Sequence, residues 1–193
     1  MLEKAIDFSH SLLKKTVVPG DIVIDATVGK GNDSLLLASL VGPSGKVIGF
    51  DIQEQAIKQT KEKFLLTGLS ERLELHQTSH EHAHTFIPEN KAIGGVIYNL
   101  GYLPGGDKSI TTTYQSTLTS IKHLLPLLRV GSLMVLVVYS GHPNGLKEKE
   151  MLLNYVSGLN QTDYTVLSYQ FINQQNHPPF VIAIEKRKKK HPI

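Results

Sequence analysis

Short apolar runs alternate with longer amphipathic stretches along this chain. Leu2, Ala5, Ile6, Phe8, Ser9, Leu12 and Leu13 recur at helical spacing, and Pro19-Gly20 then breaks the chain. Asp21–Ala26, Lys46–Asp51, Leu73–His76 and Ile93–Asn99 read as four strands. A helix follows the first strand, capped by Asp33 or Ser34 and running to about Val41; another spans Gln53–Leu66 with Gly68 as its stop. The histidine-rich stretch after Leu73–His76 reads as a loop or short helix. A helix from about Thr111 to Leu128, bent near Pro126, precedes Leu133–Ser140, the most apolar strand and so placed at the centre. A helix over Leu146–Ser157 and strands over Tyr164–Phe171 and Phe180–Glu185 complete the pattern.

Alternating strands and helices imply an α/β fold with a parallel, doubly wound sheet and helices on both faces. Two closing strands with no helix between them imply an antiparallel hairpin at one edge. The expected architecture is therefore Rossmann-like and seven-stranded, mostly parallel. That ending is similar to the class I S-adenosylmethionine (SAM) methyltransferase sheet and unlike a six-stranded dinucleotide fold. The chain of 193 residues is expected to form one domain over 1–185, with residues 1–18 as a helix packed on it and a basic tail over 186–193.

Composition narrows the chemistry. The sequence has no cysteine, which removes disulfides, thiolate metal sites and thiol nucleophiles. Methylating C5 of a uracil ring usually needs a thiolate to add at C6, so an acceptor with its own lone pair, such as an amine nitrogen, fits better. No secretion signal and no apolar run long enough to cross a bilayer are visible, so a cytoplasmic protein with no membrane partner is expected. The net charge is +3, with Lys186-Arg-Lys-Lys-Lys190 at the end; the rest is near neutral. A basic tail on a near-neutral body suits a polyanion partner, or else is a solubilising terminus.

Three loops at strand ends carry the candidate chemistry, because ligands of open α/β sheets bind at the carboxyl ends of the strands. In Asp25-Ala-Thr-Val-Gly-Lys-Gly-Asn-Asp33, Gly29 and Gly31 allow close backbone approach, and free amides at the following helix start suit a carboxylate. Asp33 reads as an acceptor for an ammonium group or as a helix cap. Lys30 and Asn32 read as ligand-facing, or as a solvated residue and a turn former. Ser34 stands where a dinucleotide fingerprint has its third glycine.

Asp51 ends the second strand about 20 residues beyond Gly31, where an acid hydrogen-bonds ribose hydroxyls. Gln53 is placed beside an adenosine, or at a helix start. In Gln77-Thr-Ser-His-Glu-His-Ala-His84, Ser79 and His80 are assigned to an adenine edge, and His82 and His84 to the surface rather than to a metal. The third loop, Asn99-Leu-Gly-Tyr102, resembles the Asn-Pro-Pro-Tyr-type loop of amino-group methyltransferases, with Asn99 accepting from the target amine and Tyr102 as an aromatic wall. Tyr139-Ser-Gly-His142 and Asn176-His-Pro-Pro179 are expected on the same face, with His142 as a deprotonating or phosphate-contacting group.

With these residues in hand, the chain is similar nearly end to end to small bacterial proteins first described as rRNA methylases and now understood as tRNA 5-(aminomethyl)-2-thiouridine methyltransferases. The resemblance rests on the glycine loop, Gly49-Phe-Asp-Ile-Gln53, Asn99-Leu-Gly-Tyr-Leu-Pro-Gly-Gly-Asp-Lys108, Tyr139-Ser-Gly-His142 and the Asn-His-Pro-Pro loop. It implies SAM as methyl donor without a metal, and methylation of the aminomethyl nitrogen of a wobble uridine. It also implies a tRNA anticodon stem-loop as partner, with a homodimer left open. The alternatives are methylation of rRNA or of a small-molecule amine, a nicotinamide-dependent oxidoreductase, and an inactive SAM-binding module.

Overall fold

The computed structural model describes residues 1–101, 112–141 and 145–188. Elements follow in the order α1 (Ala5–Thr16), β1 (Ile22–Asp25), α2 (Asn32–Val41), β2 (Lys46–Asp51), α3 (Glu54–Thr67), β3 (Leu73–Gln77) and β4 (Ile93–Leu100). After them come α4 (Tyr114–Leu124), β5 (Leu128–Val138), α5 (Gly145–Ser157), β6 (Tyr164–Tyr169) and β7 (Phe180–Lys186). The strands form one seven-stranded sheet in the order β3-β2-β1-β4-β5-β7-β6. The first five run parallel, whereas β7 pairs antiparallel with both β5 and β6.

Two-residue alternation divides the core between the faces of the sheet. Ile24, Ile48, Tyr98 and Leu136 point to one side and pack with Ile121 and Leu124 of α4 and Leu152 and Val156 of α5. Val23, Val47, Ile97 and Val135 point to the other, against Leu13 of α1, Leu37 of α2 and Phe64 of α3. Strands buried on both faces show the near-continuous apolar runs visible in the sequence.

Several boundaries differ from the expected ones. The middle position belongs to β4, not β5; β5 lies beside it, shielded by β4 and β7. β5 begins at Leu128 because Leu128 pairs with Ile93, and an irregularity then shifts the register before Gly95 meets Leu133. Gly131, at φ +79°, lies within the irregular stretch, whose Arg129 and Gly131 hide the strand from an apolar pattern. The helix expected to reach Leu128 stops at Leu124, and Leu125–Leu127 form a 3-10 turn around Pro126, which has no amide hydrogen to continue the ladder. α4 is capped by Thr113, whose hydroxyl accepts from the Ser116 amide at 3.3 Å. β7 runs through Lys186, so the basic run begins inside the sheet.

The crossing from β1 to β4 places the switch in winding direction between these two strands, and their carboxyl ends open the crevice there. Backbone bonds tie those ends together: the Ala26 amide donates to Ile97 at 2.9 Å and the Val28 amide to Phe50 at 3.0 Å.

Candidate active site

Two adjoining cavities occupy this crevice and share Thr27, Gly29, Asn99 and Gly101 as their common wall. The first, about 350 Å³, is closed by Phe50, Asp51, Gln53, Ser79, His80 and Thr112. The second, about 550 Å³, is lined by His10, Lys30, Asp33, Tyr139, Gly141 and His177. Asn99 thus stands at the junction.

The glycine turn fixes the shape of the junction. Gly31 precedes α2 with φ +72°, in the left-handed region, and a Cβ there would meet the Thr60 side chain at 2.7 Å. Thr60 in turn donates to the Gly29 carbonyl at 3.2 Å, fastening the turn to α3. Asp51 holds the other side. One carboxylate oxygen accepts from the Gly29 amide and the other from the Gln53 amide, each at 2.9 Å. Burial raises its pKa, which these amide bonds counter. The Ile52 amide adds a third bond, which still leaves the carboxylate acceptor capacity for a hydroxyl of a bound ligand.

Asp33 does not cap α2. The position before the helix is Gly31, and the Asp33 carboxylate lies within the first turn, accepting from His10 Nε2 at 2.7 Å and from the Asn99 side-chain amide. Ser34 does not cap it either; its hydroxyl donates to Asp25 at 2.5 Å. Asp25 is fully buried at the end of β1, and burial followed by the charge of Asp33 pushes it up to about 7. Asn99 itself is held twice, since its backbone amide donates to Thr27 Oγ1 at 2.6 Å. With its side-chain nitrogen committed to Asp33, Asn99 leaves its carbonyl oxygen buried and without a hydrogen-bond partner among the described residues.

His80 is buried, donating from Nδ1 to the Ala26 carbonyl at 3.1 Å and meeting the Tyr98 ring edge-on. Burial pushes its imidazole down to about 4, so it is neutral at physiological pH, and its Nε2 is a buried acceptor with no partner among the described residues. Ser79 starts the 3-10 turn over His80–Phe86 and accepts from the Glu81 amide at 3.4 Å, which leaves its hydroxyl hydrogen available. Gln53 occupies the start of α3 without using its side chain as a cap. Lys30 lines the second cavity; Asn32 lines it too, with its side-chain oxygen on Lys63 of α3. Tyr102 and His142 lie outside the described residues. Neighbouring segments do arrive, with Tyr139, Gly141 and His177 on the second cavity. Burial and the charge of Asp33 raise the Tyr139 phenol.

With a carboxylate, a neutral imidazole and backbone amides along its walls, the cleft has the polar groups to hold an elongated, hydroxylated ligand beside Asn99. The family described as "Putative rRNA methylase" matches residues 47–185. A tRNA (mnm5s2U34)-methyltransferase of Arabidopsis thaliana chloroplasts is 35% identical over 95% of this chain and 70% of its own length. The chain belongs to this methylase family. A crystal structure from Clostridium thermocellum, described in the same words, is 39% identical and superposes with a TM-score of 0.94, covering 96% of this chain and 99% of that one. A Streptococcus mutans "putative methyltransferase", solved with S-adenosylhomocysteine (SAH), is 39% identical with a TM-score of 0.88 over the same shares. The fold is thus that of class I SAM-dependent methyltransferases.

Within this methylase fold, the structure adds residues that the sequence did not single out. His10 reaches the cleft from α1, and no local pattern marks it among the helix's polar positions. Thr27 and Asp25 had a visible signal, being polar residues at the end of an otherwise apolar strand. Among the described residues, no three His, Asp or Glu side chains converge as a metal site. The histidine cluster disperses: His82 pairs with Glu81 at 3.7 Å, and His84 lies against His123 with ring centroids 4.1 Å apart. No helix among the described residues is long and apolar enough to cross a membrane.

Proposed function

We propose that this methylase uses SAM to methylate the aminomethyl nitrogen of 5-aminomethyl-2-thiouridine at the wobble position of tRNA, giving the 5-methylaminomethyl product. The carrying observation is Asn99. One N–H of its side-chain amide is given to the Asp33 carboxylate, which sets the orientation of the group and leaves its carbonyl oxygen without a partner among the described residues, an acceptor suited to the N–H of an amine at the junction of the cavities. The name of the Arabidopsis relative supports a wobble uridine as target, and the SAH of the Streptococcus structure supports the donor.

The residues present fit the donor. Asp51 offers free lone pairs to ribose hydroxyls, Gln53 and Ser79 offer side-chain polar groups, and His80 offers a buried neutral nitrogen toward the adenine side. The turn over Gly29, Lys30, Gly31 and Asn32 suits the methionine end, with Asp33 beside its ammonium; Gly29, Lys30, Asn32 and Asp33 line the second cavity. SAM supplies a methyl group already activated on a sulfonium. The protein's own task is therefore to hold the nitrogen in line at about 3–3.5 Å and to keep it neutral. Tyr102 and His142 are proposed to complete the acceptor side, with the anticodon loop, whose bases can unstack, delivering the uridine. Cationic residues from Lys186 onward suit tRNA phosphates.

The test is methylation of tRNA lacking the final methyl group, read by mass spectrometry of the wobble nucleoside, beside rRNA fragments and free alkylamines. Conversion of the aminomethyl nucleoside is expected. Transfer to rRNA or to the free amines with the tRNA untouched would overturn the reading.

A further inference from the structure

An alkylamine is largely a cation near neutral pH, and an ammonium nitrogen has no lone pair with which to attack. Resting on the substrate reading above, we propose that His10, on the N-terminal helix, takes the amine's proton as the imidazole half of a pair with Asp33.

The geometry is specific. Asp33 binds Asn99 with one carboxylate oxygen and His10 with the other, so the group proposed to orient the amine and the imidazole share one carboxylate. A nitrogen hydrogen-bonded to a carboxylate carries the hydrogen, so Nε2 of His10 is the donor and Nδ1 holds the lone pair of the neutral ring. His10 lines the cavity beside Asn99 and keeps about a quarter of its side chain exposed, enough to return a proton to water. Asp25, the other carboxyl nearby, is fully buried and already engaged by Ser34 and the Thr27 amide.

The step balances. An N–H bond of the ammonium breaks, its pair stays on nitrogen, and the proton goes to Nδ1 of His10, giving an imidazolium paired with Asp33. The nitrogen lone pair then forms the bond to the methyl carbon while sulfur keeps the C–S pair, leaving SAH and a protonated secondary amine. The imidazolium releases its proton to solvent. Among the described residues, the titratable groups sharing the cavity wall with His10 are Asp33 of α2, Lys30 of the glycine turn, Tyr139 beyond β5 and His177 of the closing loop. On α1 itself, Asp7 and Lys14 lie about one turn away. From β4 the facing group is the neutral Asn99.

The experiment is single-turnover methylation of an aminomethyl-thiouridine anticodon stem-loop under saturating SAM. Rates are taken from about pH 6 to about pH 9.5 for wild type and His10→Gln, with SAM affinity measured by calorimetry in parallel. Glutamine retains an N–H for Asp33, so the Asn99 anchor survives. The variant is expected to be about 100-fold slower near pH 7. The gap should close to within a few-fold at the alkaline end, where free amine is abundant, with SAM affinity within about twofold of wild type. His10→Ala carries the same test should the glutamine variant fail to fold. A deficit constant across the pH range, or no deficit at pH 7, overturns the assignment. A wild type that binds SAM but leaves the aminomethyl stem-loop untouched overturns the substrate reading and this proposal with it.

Discussion

The two cavities of the cleft are assembled by different routes. The first, proposed to take the adenosine of the donor, draws Gly29, Asp51, Gln53, Ser79 and His80 from three consecutive strand ends, and its hydrogen bonds run between neighbouring loops of the parallel sheet. The second, proposed to take the methionine end of the donor and the target amine, gathers His10, Asp33, Asn99, Tyr139 and His177 from five segments spread over nearly the whole chain. Backbone amides dominate the first and side chains the second. A donor common to many methyltransferases can be held by main-chain geometry, whereas a particular acceptor needs particular side chains.

Breaking the division should show it most clearly at Asn99. Asn99→Ala removes the buried acceptor but leaves the donor turn intact, so turnover should fall by about 100-fold or more while SAM affinity changes by less than about threefold. Single-turnover rates and calorimetry check this; equal activity in the two proteins would remove Asn99 from the site. Asp51→Asn is the converse. Charge-assisted bonds of this kind contribute about 1.5–3 kcal/mol, so SAM affinity should weaken roughly 10- to 100-fold with little change in the rate at saturation. If both substitutions moved the same parameter, the two sides would not be separable.

Smaller effects sharpen the same contrast. Gly31→Ala forces a left-handed residue and a close contact with Thr60, for a loss of about 1–2 kcal/mol of stability. Thermal denaturation should show this as a drop of several degrees, with weaker SAM binding. Glu148 of α5 stands behind the donor wall, accepting from Thr112 at 3.3 Å and from Thr117 at 3.2 Å, and burial pushes it up to about 7. Its folded pKa lies above the ordinary carboxylate value. Its contribution to stability is therefore full below about pH 4.5 and is lost as pH rises through about 7. Glu148→Gln should flatten that decline by on the order of 1 kcal/mol, measured as denaturation midpoints at pH 5 and pH 8.

The same contrast explains what could be read from the chain. Glycine turns and an acid at a strand end are local signals, so the turn at Gly29 and Gly31 and the strand end at Asp51 were legible, although the order of the strands was not. So was the antiparallel closing pair, from two apolar runs without an intervening helix. The irregular start of β5 was not, because Arg129 and Gly131 interrupt the apolar pattern where the register shifts. Asp33 was read as ligand acceptor or cap because its partner His10 lies 23 residues away on α1, a contact that only tertiary packing creates. Asn99 was singled out from its loop, but not its tether to Asp33, which tertiary packing creates.

That tether has a thermodynamic consequence. A buried carbonyl without a partner, as that of Asn99 is among the described residues, costs about 1–3 kcal/mol, and an incoming N–H would cancel that cost while a base bearing no such hydrogen would leave it standing. Discrimination against uridines that have not yet received their amine would therefore arise as an unrelieved penalty rather than as a weaker attraction, the asymmetry by which polar sites reject analogues missing one group. The order in which modifications are added to the base would then be enforced by a single oxygen.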